Sequence, residues 1–337
     1  MAATLSHPEW NQETGGLEVA KAFGDQIRGR SVLITGVSPE GIGSTTALSI
    51  ASQSPTLLIL ASRTPSKVET VAKSIKDAYP TTNVKTVLLD LMSQDSVRKA
   101  AAEVAKLTDR LDIIINNAAI MTPRYQLTAE GIEAQFGANH IGHFLLTNLL
   151  IPQLLAAAKE STQGSTRVVN LTSLGHRLSP VRFHDYNFEG KDIPPEEEHI
   201  PLKGAFAKGD GAYNGYVAYG QAKSANVLFS VELNKLLNAK GIVSYAVHPG
   251  SIWTGLSRDL DPDGEEAIRN TSSFWKNLDQ GAATTLVAAL DPTLNEPKGI
   301  ILHDCQVVEA APHATKPEFA EKLWALSETL VKREFKL

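Results

Sequence analysis

Residues Val32 to Gly43 read VLITGVSPEGIG, an apolar run that ends in a glycine-rich turn. Turns of this kind between a strand and a helix often hold phosphate groups, because glycine allows close approach and the helix N-terminus offers unpaired N–H groups. The spacing departs from the dinucleotide-binding pattern G-x-G-x-x-G, since four residues separate Gly36 from Gly41 and one separates Gly41 from Gly43. On this stretch alone, a phosphate-binding loop and an ordinary strand-to-helix connection both remain open.

The composition excludes several classes of protein. The chain has 337 residues, of which 42% are hydrophobic, so it can bury a sizeable core, and its net charge of -5 argues against nucleic-acid binding. One cysteine, Cys305, allows no disulfide within the chain. Residues 1–16 lack the basic and apolar regions of a signal peptide, and the longest apolar stretch, residues 144–158, is too short to span a bilayer. We therefore expect a cytoplasmic protein without a membrane span.

Short apolar runs alternate along the chain with longer amphipathic stretches. Runs that are apolar on both faces and separated by helices are typical of a parallel sheet covered on two sides. We therefore predict an α/β fold with a single doubly wound Rossmann domain over residues 29–337, preceded by a polar extension of uncertain order, residues 1–28. The predicted sheet is seven-stranded and mostly parallel, flanked by helices on both faces, with strands at residues 31–35, 56–62, 84–90, 111–116, 167–172, 243–248 and 299–304 and helices at residues 43–52, 66–78, 93–107, 131–157, 219–238 and 280–290.

A tyrosine and a lysine stand four residues apart in the stretch AYGQAKSANVLFSVELNKLL, at Tyr219 and Lys223. On a helix this spacing places both side chains on one face. The ordinary pKa of tyrosine is about 10, and a neighbouring ammonium lowers it by stabilising the phenolate. The pair is therefore a candidate for proton transfer, although the spacing also arises by chance; neither Tyr213 nor Tyr216 has a lysine at that distance.

Taken together, these motifs resemble short-chain dehydrogenase/reductases of the classical type, in particular the retinol-dehydrogenase-like and WW-domain-oxidoreductase-like branch with its many fungal members. The resemblance covers about residues 30–335. The matching stretches are TGVSPEGIG (35–43), LASR (60–63), LDL (89–91), DIIINNAAIM (112–121), GIEAQFGANHIGHFLLTNLL (131–150), RVVNLTSLGHR (167–177), YGQAKSANVLFSVEL (219–233) and YAVHPGSIWT (245–254).

The resemblance implies four catalytic residues, Asn139, Ser173, Tyr219 and Lys223. Tyr219 would be the general acid in carbonyl reduction and the general base in alcohol oxidation, and Lys223 would lower its pKa and bind the nicotinamide ribose. Ser173 would hydrogen-bond the substrate oxygen, and Asn139 would hold a water that links Lys223 to solvent. Considered singly, Ser173 could instead cap a helix and Asn139 could satisfy buried backbone groups.

The end of the second predicted strand bears on the choice between NAD and NADP. An acidic residue there would bind the ribose 2′-hydroxyl, whereas an arginine accommodates a 2′-phosphate. Ser62 and Arg63 follow that strand, with Lys67 a turn later, which favours NADP(H); Glu40, just before Gly41, would repel the phosphate if it faced it. The implied cofactor contacts are Gly36, Ser38, Gly41, Ile42, Gly43, Ser62, Arg63, Asp90, Leu91, Asn117, Ala118, Ala119, Tyr219, Lys223, Pro249, Gly250, Ile252 and Thr254.

Two segments, residues 176–216 and 251–280, are expected to form the substrate pocket and its lid. Their aromatic residues, among them Trp253 and Trp275, favour a lipophilic or secondary-metabolite substrate with a carbonyl or alcohol group. The same side chains could simply cover the edge of the sheet.

No metal site is predicted, because His303, Asp304 and Cys305 are consecutive and would point to opposite faces of a strand. The predicted function is that of an NADPH-dependent oxidoreductase acting on a small-molecule carbonyl or alcohol. Two alternatives on the same fold are a non-redox catalyst, such as a cyclase or isomerase, and a nucleotide-binding regulatory protein. The resemblance leaves a homodimer and a monomer both open.

Overall fold

The computed structural model describes residues 4–337 and contains one eight-stranded sheet, with strand order β3-β2-β1-β4-β5-β6-β7-β8. The first seven strands in the chain run parallel and β8 runs antiparallel to β7. The strands are β1 (Ser31–Thr35), β2 (Leu57–Ser62), β3 (Val84–Leu88), β4 (Ile113–Asn116), β5 (Thr166–Leu171), β6 (Ile242–His248), β7 (Ile301–His303) and β8 (Gln306–Val308).

Within the described residues, eleven α-helices and several short 3-10 turns precede, connect or follow the strands. The helices are α1 (Gly16–Ala22), α2 (Ile42–Ala51), α3 (Pro65–Ala78), α4 (Gln94–Leu107), α5 (Ala134–Phe136), α6 (Gly142–Leu149), α7 (Ile151–Lys159), α8 (Gly215–Leu237), α9 (Pro262–Arg269), α10 (Leu278–Leu290) and α11 (Pro317–Val331).

Two hydrophobic clusters hold the helices on opposite faces of the sheet. Alternate residues of a strand point to opposite faces, so Val32 and Ile34 of β1 belong to one cluster and Leu33 to the other. The first cluster joins the sheet to α1, α2, α3 and α10, and the second joins it to α4, α6, α7, α8 and α11. The predicted doubly wound fold is therefore confirmed.

The predicted sheet differs from the observed one at its last edge. Residues 299–304 were expected to form one strand, but β7 ends at His303 and a tight turn leads into the additional strand β8. Asp304 and Cys305 form that turn, both with positive φ, 49° and 62°. Asp304 therefore lies outside the strand in which it was expected.

The predicted helix over residues 131–157 is interrupted twice. Between α5 and α6 lies one π-helical turn, Gly137–Ile141, and α6 and α7 meet at a bend of 54°. Pro152 in the first turn of α7 lacks the N–H that a continuous helix would need, which accounts for the bend. Within residues 4–337 no single helix is both long and apolar enough to cross a membrane; only this bent pair meets that test, by length and composition alone.

The N-terminal extension, whose order the sequence left open, packs against the domain from residue 4 onward. Trp10 is 6% exposed, stacks on His7 at 3.9 Å between ring centroids and meets Phe23 edge-on at 5.5 Å. The carbonyl of Trp10 accepts a hydrogen bond from the side chain of Gln306 on β8. Helix α1 then packs on α10 and α2, so this segment covers one flank of the sheet.

The C-terminal helix α11, which the sequence did not predict, lies across α8. Phe319 and Leu323 of α11 share a cluster with Leu228 and Phe229 of α8. In the same interface, Nζ of Lys235 on α8 lies 2.6 Å from Oε1 of Glu321 on α11. Helix α8 therefore lies between the sheet and the C-terminal helix α11.

The packing of Trp10 predicts that the N-terminal segment contributes to global stability. Trp10→Ala should lower the free energy of unfolding by about 3 kcal/mol, because it leaves a cavity among buried rings. Leu17→Ala, at a position 36% exposed in the same segment, should change it by less than about 0.5 kcal/mol. Urea unfolding followed by far-UV circular dichroism measures both, and unchanged stability of Trp10→Ala would show that the segment folds independently.

Candidate functional site

A cavity of about 1010 Å³ opens at the carboxyl ends of the parallel strands. Ligand sites of doubly wound sheets lie at this edge, where the strand order reverses, here between β1 and β4. Its volume is at the upper end of the range of roughly 300–1,000 Å³ for small-molecule sites. The residues expected from the sequence that line it are Gly36, Ser38, Gly41, Ile42, Ser62, Arg63, Asp90, Leu91, Asn117, Ala118, Ala119, Tyr219, Lys223, Pro249 and Thr254.

The glycine-rich turn between β1 and α2 forms one wall of this cavity. Gly36 has φ of 72°, and a Cβ there would lie 2.5 Å from the Cα of Ala118. A Cβ on Gly43 would lie 2.6 Å from Nδ2 of Asn117, so neither position accepts a side chain. Gly43 therefore does not line the cavity but allows α2 to start close to the turn after β4.

The extra residue of this turn is accommodated by a left-handed residue. Glu40 has φ of 57° and is exposed. Gly41 follows as the N-cap of α2, and the first N–H groups of α2 have no partner within the helix. The turn thus keeps the features that bind phosphate, close backbone and a helix N-terminus, despite its unusual spacing.

The hydroxyl of Thr35 ties the glycine-rich turn to the end of β4. It accepts hydrogen bonds from the backbone N–H groups of Asn117 and Ala118, both at 3.0 Å. Its own hydrogen then points to Nε2 of His143, 2.8 Å away, and Nδ1–H of His143 donates to the carbonyl of Asn139 at 3.1 Å. The donor count therefore assigns the Nδ1–H tautomer to His143, and burial lowers its pKa to about 4.

His143 was not identified from the sequence as a structural centre. The signal was present, since a histidine directly before the apolar run FLL, residues 144–146, needs buried partners for its two ring nitrogens. Its partner Asn139 lies in the π-helical turn, and such turns are frequent at functional sites.

The side chain of Asn139 is hydrogen-bonded through both its oxygen and its nitrogen to the backbone of Ile120. Its Oδ1 accepts from the N–H of Ile120 at 2.8 Å, and its Nδ2 donates to the carbonyl of Ile120 at 2.9 Å. Asn139 is buried and does not line the cavity. Its amide side chain therefore fixes the segment after β4, and Ile120 of that segment does line the cavity.

Tyr219 and Lys223 lie one turn apart on α8 and both reach the cavity. The ammonium of Lys223 lies 5.5 Å from the centre of the Tyr219 ring and donates to the carbonyl of Leu171 at 3.1 Å. Burial lowers the pKa of Lys223 to about 7. Burial also raises the pKa of Tyr219 to about 12, although a hydrogen bond from Ser173 opposes this. The lowering of the tyrosine pKa that was expected from Lys223 is therefore not found: desolvation of the phenolate raises the pKa, and the opposing contribution comes from Ser173.

Ser173 stands beside the ring of Tyr219 at the end of β5. Its Oγ accepts a hydrogen bond from the N–H of Gly175 at 3.0 Å and so caps the short 3-10 turn that follows. A Cβ on Gly175 would lie 3.0 Å from the Tyr219 ring and 3.4 Å from Oγ of Ser173, so glycine lets these two groups approach. Ser173 itself does not line the cavity.

The end of β2 presents two cations to the cavity. Arg63 and Lys67 are exposed and both line it, together with Ser62. Glu40 of the glycine-rich turn lines the same cavity. A bound anion at this corner would therefore meet two positive groups and one carboxylate.

The two predicted pocket segments have different positions. The cavity is lined by Trp253, Leu256, Leu260 and Glu265, from the segment after β6, but by no residue of 176–216. The latter segment packs instead on the first turn of α8 and on Glu133, which accepts a hydrogen bond from Tyr213. Gly250 and Ile252 lie beside Lys276 rather than on the cavity wall.

The chain is similar to known proteins over most of its length. The family model described as short chain dehydrogenase matches residues 30–187. Retinol dehydrogenase 13 of Homo sapiens is 35% identical over 323 residues, covering 94% of this chain and 88% of its own length. Oxidoreductase fscI of Fusarium equiseti is 36% identical over 71% of this chain and 94% of its own length. A crystal structure of a protein from Mycobacterium Paratuberculosis has a TM-score of 0.67 at 30% identity, over 92% of this chain and 96% of the other.

The buried neutral ring of His143 predicts loss of stability in acid. Its pKa is about 4 in the folded protein against about 6.5 in an unfolded chain, so the unfolded state binds more protons as the pH falls through this window. The stability lost between pH 7 and pH 5 should be smaller in His143→Gln than in the wild type, by at most about 2 kcal/mol. Urea titrations at each pH measure the slope.

The control for this comparison is the exposed His199. His199→Gln should keep the pH slope of the wild type. Equal slopes for the wild type and His143→Gln would contradict a neutral His143.

Proposed function

Because this chain belongs to the short-chain dehydrogenase/reductase family, with retinol dehydrogenases among its relatives, we propose that it is an NADP(H)-dependent oxidoreductase. It would transfer a hydride between the nicotinamide and a carbonyl or alcohol group of a lipophilic substrate. The observation that carries this proposal is that Tyr219 and Lys223 face the same cavity as the glycine-rich turn.

The proposed proton donor and acceptor is Tyr219. With a pKa raised to about 12 by burial, its hydroxyl holds its proton near neutrality and is suited to protonate the oxygen of a carbonyl being reduced. Ser173, beside the ring, would hydrogen-bond the same oxygen as charge develops on it. Lys223 would bind the nicotinamide ribose and stabilise the phenolate left after proton transfer. NADPH, when bound, supplies the hydride.

The proposed role of Asn139 differs between its side chain and its backbone. The side chain holds Ile120, and the carbonyl is engaged by His143. Since this carbonyl oxygen has a second lone pair, it can also accept from a water beside Lys223. We therefore assign the water-holding role to the Asn139 carbonyl rather than to its amide.

The preference for NADP(H) rests on Arg63 and Lys67. Both cations line the cavity at the end of β2, and an acidic residue, which would favour the 2′-hydroxyl of NAD, is not found at Ser62 or Arg63. Glu40 lies in the same cavity wall, but its exposed left-handed position leaves its carboxylate accessible to solvent, where its repulsion of a phosphate is screened.

The proposed substrate is lipophilic because Trp253, Leu256 and Leu260 contribute apolar side chains to the cavity that Tyr219 also lines. The name of the human relative, retinol dehydrogenase 13, points to the same chemical class of alcohol. A panel of lipophilic aldehydes and ketones, followed by NADPH absorbance, identifies the preferred compounds.

Tyr219→Phe should reduce turnover by about 10²- to 10⁴-fold, because it removes the proton that the reaction needs. Its Kd for NADPH should stay within about twofold of the wild type, since the aromatic ring remains. Tyr216→Phe, one turn earlier on α8 and outside the cavity, is the matched control and should keep full activity. A Tyr219→Phe variant that retains most activity would contradict the proposed chemistry and favour a catalyst that needs no proton transfer from this group.

Arg63→Ala should weaken NADPH binding by about tenfold or more, because it removes a charge-assisted hydrogen bond to the 2′-phosphate. NADH binding, which involves no such phosphate, should change by less than about threefold. Lys76→Ala, at an exposed position on the same helix as Lys67, serves as the control. Equal losses of NADPH and NADH affinity in Arg63→Ala would refute the preference for NADP(H).

A further inference from the structure

The loop that follows β6, residues 249–254, lines the cavity through Pro249, Trp253 and Thr254. We call it the β6 loop. It contains no regular secondary structure apart from one isolated backbone bridge, so its position depends on the residues that contact it.

Lys276 contacts the β6 loop through its backbone. The N–H of Lys276 donates to the carbonyl of Ser251 at 2.9 Å. Ile252 and Lys276 also pair as a short parallel bridge. These contacts fix the middle of the loop to the segment that precedes α10.

The side chain of Lys276 then lies across Gly250. Gly250 has φ of 103°, and a Cβ there would lie 2.7 Å from both Cδ and Cε of Lys276. The lysine stem therefore occupies the space that any other residue at position 250 would fill. The backbone and the side chain of Lys276 therefore contact both halves of the β6 loop.

The ammonium of Lys276 is buried and paired. The side chain is 2% exposed, and its Nζ lies 2.7 Å from Oδ1 of Asp304 in the turn between β7 and β8. Burial of a charge is costly unless an opposite charge accompanies it, so the position of the ammonium depends on Asp304. His303 also approaches the same carboxylate oxygen, at 3.3 Å, and His248 lies 4.5 Å from His303 between ring centroids.

We propose that Lys276 and Asp304 form a clamp that positions the β6 loop against the nicotinamide half of the bound dinucleotide. This inference rests on the proposed function. Neither residue lines the main cavity, so both act through the loop as positioning residues. The clamp joins the loop to the β7–β8 turn, whose Cys305 N–H is held in turn by Thr284 of α10.

The test compares two ligands by calorimetry, NADPH and 2′,5′-ADP, which lacks the nicotinamide half. Lys276→Met keeps the stem against Gly250 and removes the charge. Asp304→Asn removes the other charge and suits the left-handed turn, since asparagine adopts positive φ more readily than most residues. The control is Lys240→Met. Lys240 is exposed and lies just before β6, at the end of the strands opposite to the cavity.

Each of the two clamp variants should weaken NADPH binding roughly fivefold while leaving 2′,5′-ADP binding within about twofold of the wild type. The double variant should lose no more than either single variant, because both changes break the same contact. Lys240→Met should bind both ligands as the wild type does.

Three results would overturn the clamp. Unchanged NADPH binding in Asp304→Asn, or equal weakening of both ligands, would show that the ion pair serves stability alone. If the wild-type protein binds neither NADPH nor 2′,5′-ADP, the proposed function is refuted, and the clamp with it. If the wild type binds both ligands, a failure seen only in the clamp variants concerns the clamp alone.

Discussion

The site depends on one buried hydroxyl, that of Thr35, where β1 ends. Two backbone N–H groups after β4 donate to it, at Asn117 and Ala118, and it donates to His143. Three separate parts of the chain therefore meet at a single oxygen that is 0% exposed. A buried polar group without a hydrogen-bond partner is costly. This arrangement therefore strongly favours one relative position of the glycine-rich turn, the end of β4 and the π-helical turn. In that position, the glycine-rich turn and the segment after β4 line the cavity together.

The second constraint is the burial of Tyr219 and Lys223 on α8. Burial shifts the pKa of each in the direction of its neutral form, to about 12 for the tyrosine and about 7 for the lysine. The ordinary pKa values, 10.0 for tyrosine and 10.5 for lysine, are nearly equal, so the two shifts separate the proton affinities and leave the tyrosine hydroxyl protonated near neutrality. Ser173 and Asn139 perform the structural roles that were weighed against catalytic ones, as cap and as backbone partner. Both roles place the reactive groups, so the structural and the proposed chemical functions of these residues are compatible.

Much of the fold was predictable from the sequence because its central strands are buried on both faces and carry uninterrupted apolar runs. The Tyr219 and Lys223 pair was predictable because helical periodicity requires no knowledge of tertiary structure. Strand β8 was not, since its three residues are only partly buried and form a strand through pairing with β7. The packing of residues 4–28 and the course of residues 176–216 depend on contacts with distant parts of the chain. Their mixed composition gave no periodic signal from which these contacts could be predicted.

Helix α8 carries the reactive pair and has sheet on one side and α11 on another. Of residues 215–237, Lys235 alone is exposed, and its charge is engaged by Glu232 and Glu321. The rest of α8 is buried or half-buried within this same chain. The geometry of the reactive pair is therefore set within a single chain.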